Sequence, residues 1–226
     1  MNSALLMLVD GRFPAGGHTN SAGVEAAVRI GDVHDDATLE RYLLGRLATT
    51  GVVDAAFAAH VTALGDTLAE PDVSATVDAE LSARLASPAL RAASRRFGRQ
   101  LCRAASGVWT SPALDALAHH DHGAHQAVVL GAAVSAAGGT STDAAALAFH
   151  HLSAAVTSSG VRLLGLDPMT VAASQARVGL HVDAWLAAEA ATWATSPVSD
   201  LPADGGSLTE ILAQDHAARD ARLFVA

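Results

Sequence analysis

Lysine is absent from this chain: all 14 basic residues are arginine. A P-loop needs a lysine against its phosphates and a pyridoxal enzyme needs one for its Schiff base, so both classes are excluded. Cysteine occurs once, as Cys102. One thiol forbids an intrachain disulfide and a cysteine-rich zinc site, and it fits a reducing, cytoplasmic compartment. Aromatic residues make up only 4%, too few for the stacking platforms of a nucleic-acid groove. A net charge of −9 argues the same way. Alternating Val/Ile/Thr runs bounded by turns are missing, which speaks against strands. The opening Met1–Asp10 has neither a basic n-region nor a small-residue cleavage site, so no signal peptide is expected.

What the 226 residues do contain is alanine, within a hydrophobic fraction of 50%. Alanine is the best helix former and a poor strand former. The expectation is a single all-α domain over residues 1–226, a bundle of about eight to ten helices. Ser87-Pro88, Ser111-Pro112 and Asp167-Pro168 each set a capping side chain before a proline at the first helical position. Thr140 with Asp143, and Ser207 with Glu210, have capping-box spacing, and Asp35 or Asp36 caps a further helix. Asn20 or Ser21 is expected to cap a helix near Ser21–Ile30, and Gly51 to interrupt a long one over Ala37–Ala63. The Pro/Gly-rich stretch 195–206 reads as a linker to a C-terminal docking helix, 207–226, expected to pack loosely. Two stretches, His122–Thr142 and Ala144–Val161, carry no Asp, Glu, Lys or Arg. Their Ala, Gly, Ser, Thr and His content is wrong for a membrane span, so they read as helices of a buried bundle, too apolar to stay wet on a monomer.

No compact catalytic signature emerges. Thr19-Asn20-Ser21-Ala22-Gly23 resembles a hydrolase nucleophile elbow, but threonine stands where glycine is needed and the preceding strand is missing. His119, His120, His122 and His125 surround Asp121 and are weak metal-ligand candidates; a solvated turn is the competing reading. Of His150 and His151, adjacent on one helix, one is expected in the core with a hydrogen bond. Arg91, Arg95, Arg99 and Arg103, with Arg96 beside them, form a basic helical stripe suited to an acidic partner or, alternatively, to solvent.

Four segments together resemble one family. Leu5-Leu6-Met7-Leu8 leads to Pro14, Gly16, Ser21, Gly23 and Glu25, similar to LLxLASPxLPxGxFxYSxGLExAV. Arg91, Ser94, Gly98 and Leu101 follow RxxSxxxGxxLL. His125, Val128 and Gly131 follow HxxVxxG. Arg222-Leu223-Phe224 ends the chain like YSRLF. In order and spacing these resemble the urease accessory protein family UreF. Two departures stand out: His18 and Asn20 occupy aromatic positions, and Gly165–Ala173 replaces a PLGQTxGQ segment. The resemblance implies an all-α homodimer without catalytic residues or cofactor. It further implies a chaperone role in urease maturation, joining UreD (also called UreH) and the GTPase UreG so that nickel reaches apo-urease, with no nucleic-acid or membrane partner. On that basis Pro14, Gly16, Ser21, Gly23, Glu25, Arg91, Arg95, Arg99, Arg219, Arg222, Leu223 and Phe224 are the expected partner-binding residues. A helical scaffold unrelated to urease, and a metal-dependent helical enzyme built on His119–His125, are the alternatives.

Overall fold

The computed structural model describes residues 2–15, 19–219 and 223–224, and within them the regular structure is helical throughout. The expected residues Gly16 and Arg222 lie outside the described residues. In chain order the helices are α1 (Ser3–Val9), α2 (Val24–Arg29), α3 (Asp36–Arg46), α4 (Val52–Leu64), α5 (Pro71–Arg84), α6 (Pro88–Ser106), α7 (Pro112–Ala118), α8 (Gln126–Ala136), α9 (Ser141–Leu164), α10 (Pro168–Thr195) and α11 (Ser207–Ala217). The chain is an all-α single domain.

The local signals explain most boundaries. Ser87, Ser111 and Asp167 accept from backbone amides at the starts of α6, α7 and α10, each with proline in the first turn. Asp35 with Thr38 and Thr140 with Asp143 form complete capping boxes. Three boundaries differ from expectation. Gly23, at φ +86°, caps α2, while the Asn20 side chain accepts from Ala22 N at 2.8 Å in the turn before it. Gly206, not Ser207, caps α11, because the Glu210 carboxylate that would close the box instead accepts from the Ser87 amide. Gly51 does not break its helix. The chain widens into a π turn, Leu47–Gly51, and continues as α4.

Helix α4 is the axis of the bundle, with α8, α9 and α10 packed around it and Ala55 to Val61 buried without a gap. Close approach depends on missing side chains. A Cβ on Gly131 of α8 would stand 2.5 Å from the Ala58 carbonyl oxygen of α4. The stretch Asp36–Ala69 is long and apolar enough to cross a membrane, yet 67% of its most apolar window is buried in the bundle, which marks it as the core helix.

Both uncharged stretches are satisfied inside one chain. Ala127 to Val134 of α8 are all buried, as is the inner face of α9. The expectation that they need a second copy to cover them is therefore corrected. Apolar surface does face outward on α10, where Met169 is 78% and Leu180 70% exposed.

Candidate functional site

The second and third motif segments meet at the α6–α8 junction. Ser94 Oγ takes the Gln126 amide at 3.3 Å and bonds His125 Nδ1 at 3.0 Å; Ser82 Oγ bonds His125 Nε2 at 2.9 Å. A Cβ on Gly98 would overlap the Ala124 carbonyl oxygen, so α6 can reach the start of α8 only with glycine there. His125 is fully buried, and burial, then the Arg95 charge, pushes its ring down to about 4. Its role is corrected accordingly: a neutral imidazole with both nitrogens engaged has no lone pair left for a metal. His119 and His122 are exposed in the turn ahead of it, and His120 stands 3.8 Å from Asp78. Among the described residues no three metal-ligating side chains converge.

The arginine stripe is turned inward over much of its length. Arg95 grips both carboxylate oxygens of Asp78 at 3.0 and 2.6 Å and also donates to Ser82 Oγ and Gly123 O. Only 17% of its side chain is exposed. Arg91 caps the end of α5 through Leu85 O and Ala86 O, and Arg99 donates to His122 O at 2.6 Å. A guanidinium offers five donors in a fixed fork, which is why these arginines can tie two loops and helix α5 to α6. Arg103 and Arg99 remain exposed.

The first and last motif segments meet likewise. The Glu25 carboxylate accepts the amides of Leu223 and Phe224, each at 3.0 Å. Phe224 is 7% exposed, with the Arg162 guanidinium 4.4 Å from its ring centroid, and the His216 ring bonds its carbonyl at 3.2 Å. Arg29 pairs with Asp215 at 2.5 Å, and Gln214 bonds Ser87 and Ala89 at the start of α6. Over its described residues the C-terminal segment is thus packed, not loose as expected. Leu223 is 81% exposed beside it. Pro14 is exposed, Ser21 fully buried, and Arg219 pairs with Asp215 on the surface.

Between these two junctions lies a cavity of about 300 Å³. Its wall draws on three of the motif segments: Phe13 and Asn20 from the first, Ser94 and Phe97 from the second, Gln126 and Leu130 from the third. Arg46, Thr50 and Asp54 line one side, spaced along the continuous α3–π–α4 helix, and His150, His151 and His216 also line it. His151 is tied to Leu8 O at 2.7 Å, and burial lowers the affinity of His150 and His151 for a proton. Burial pushes the Asp54 carboxyl up to about 6 against the opposing pull of Arg46. None of Arg46, Thr50 and Asp54 is flagged by motif spacing. The available signal was Arg46 itself, seven residues after Leu39 and three after Leu43, a charge on the buried face of its helix.

The sequence model of UreF matches residues 33–179, well over half the chain. The chain belongs to the UreF family. It is 39% identical over 223 residues to the urease accessory protein UreF of Mycolicibacterium vanbaalenii, covering 98% of this chain and 97% of that protein. It is 37% identical to the protein of that name from Mycobacterium tuberculosis H37Rv, over 226 residues and 99% and 98% of the two chains. The matched segment runs from the turn before α3 into α10. It holds the α6–α8 junction and the Arg46–Asp54 row, while the similarity to the relatives extends over both chain ends. In the structure the four motif segments pair off into two junctions beside the cavity, the second with the third and the first with the last.

Proposed function

We propose that the chain acts in urease maturation as a non-catalytic cytoplasmic subunit. In this reading it joins UreD (UreH) and the GTPase UreG as a homodimer, so that nickel is delivered to apo-urease. The observation that carries it is the similarity to urease accessory proteins over 97–99% of this chain. The surface supports the reading. Leu208 and Ile211 of α11 are 53% and 66% exposed and Leu223 is exposed near the chain end, apolar side chains suited to a protein partner such as UreD. Arg99 and Arg103 offer positive charge to an acidic chain. A second copy is the proposed occupant of the outer face of α10. There Ala172, Ala173, Ala176, Ala184 and Ala187 lie exposed around Met169 and Leu180, and such small side chains let an identical helix approach closely.

Co-expression with UreD, UreG and apo-urease tests the whole reading. The expected outcome is a co-purifying assembly and urease activity that depends on this chain. Free chain in every fraction, or urease activated equally without it, would overturn it. The competing scaffold unrelated to urease predicts that outcome.

A further inference from the structure

Arg46 is 92% buried, being 8% exposed, and its Nε and Nη1 groups donate to no acceptor. No carboxylate is paired with it among the described residues. Asp54, about two turns along the same helix, feels its charge. The Tyr42 hydroxyl donates its proton to Ala22 O at 2.9 Å and turns its oxygen toward the guanidinium, a neutral neighbour that brings no negative charge. A guanidinium withdrawn from water and left without an anion is among the costliest arrangements a core can hold. It persists in natural proteins mainly where something else supplies the negative charge. Here the guanidinium lines a cavity of about 300 Å³ whose remaining wall is largely apolar. The backbone beside it is the π turn, a local irregularity common at functional sites.

We propose that this cavity is an anion-binding site, in which the Arg46 guanidinium on its wall is the anchoring group for a small free carboxylate. A planar carboxylate matches the fork geometry of a guanidinium. Asp54 on the same wall sets the selectivity: its negative charge disfavours dianions and weakens any anion while it is ionised. The site stands apart from the proposed partner surfaces, since it needs neither α10 nor the exposed apolar side chains of α11.

The test uses the full chain with [13C]acetate and [13C]formate as probes at fixed ionic strength. The carboxyl resonance of each should broaden saturably in the presence of wild-type protein, with a Kd on the order of 1 mM, and unlabelled acetate should reverse the effect. Arg46→Met, which fills the same volume without charge, should abolish saturable broadening while melting no lower than wild type, because removing an unpaired buried charge costs nothing. Arg46→Lys should retain weakened binding. Asp54→Asn should tighten acetate at pH 7.5 by about threefold or more. Equal broadening in Arg46→Met, or none in wild type at 100-fold excess over the expected Kd, would overturn the proposal. Should Arg46→Met prove unfolded, the Asp54→Asn comparison decides, and unchanged affinity there overturns it equally. None of these measurements depends on urease, so they can fail while the accessory role stands.

Discussion

Asp54 and His125 pull the acid response of the chain in opposite directions. Asp54, pushed up to about 6 by burial, is disfavoured in its ionised form by the fold. Its cost is fully present above pH 6 and disappears as pH falls toward the ordinary carboxylate value. His125, pushed down to about 4, must stay neutral in the fold. Its contribution is intact above pH 6.5 and is lost as pH falls from there toward 4. Each spans roughly 2 to 2.5 pH units, or about 3 kcal/mol at most. Urea denaturation from pH 7.5 to 4.5 should therefore show a nearly flat wild-type stability from this pair. Asp54→Asn should be more stable than wild type at pH 7.5 by about 1–3 kcal/mol and then lose that advantage on acidification. A variant no more stable at pH 7.5, or one with a flat profile, would refute the assignment. The arginines separate on the same physical grounds. Arg95 sits in a buried ion pair, so Arg95→Glu should cost about 3 kcal/mol or more. Exposed Arg103→Glu should stay within about 0.5 kcal/mol, and thermal melts of the two distinguish a structural arginine from a surface one.

At the scale of the element, what could be read in advance was chemistry that acts within one turn of helix. Capping serines, asparagine-like turns and Ser-Pro or Asp-Pro starts are local, and α6, α7, α9 and α10 begin where those residues stand. Spacing misled where a side chain was used over a long distance. Glu210 looked like the closing half of a capping box, but it reaches across to Ser87, 123 residues away in sequence. Arg95 repeated every four residues with its neighbours like a surface stripe, but Asp78, its counterion, lies on α5. The cavity was invisible for the same reason, since its wall gathers side chains from six separated segments. Glycine gives the sharpest element-level prediction. Gly98→Ala drives a methyl into the Ala124 carbonyl and should cost about 1–3 kcal/mol, with loss of the Ser94–His125 contact. Gly45, in mid-α3, has nothing within 4 Å of a Cβ position. Gly45→Ala should instead stabilise the chain by about 0.5–1 kcal/mol. Matched melting curves showing the two changes of similar sign would contradict the packing described for α6 and α8.

For the molecule as a whole, Glu25 of the first motif segment is joined to Leu223 and Phe224 of the last, and the proposed UreD contact inherits its order from Glu25. Both carboxylate oxygens of Glu25 are committed to the Leu223 and Phe224 amides, and that side chain is only 17% exposed. The bonds fix the backbone so that Phe224 turns inward under Arg162 while Leu223 turns out. One residue is thus spent on folding and its neighbour left free for association. Deleting the Glu25 carboxylate removes two charge-assisted hydrogen bonds but leaves α11 held by Asp215–Arg29 and Glu210–Ser87. The global cost of Glu25→Ala should be about 1–2 kcal/mol, while the last residues become free to exchange. Hydrogen exchange should quicken at Leu223 and Phe224 far more than in α11, and tryptic cleavage after Arg219 should accelerate. UreD binding should weaken in Glu25→Ala because the end must be reordered on association. Leu223→Ala should weaken the same binding with no change in exchange. Phe224→Ala should resemble Glu25→Ala, losing both stability and end protection. A Glu25→Ala protein with wild-type exchange at the end would break the proposed chain of cause from the first motif to the last. So would a Leu223→Ala protein that binds UreD as wild type does.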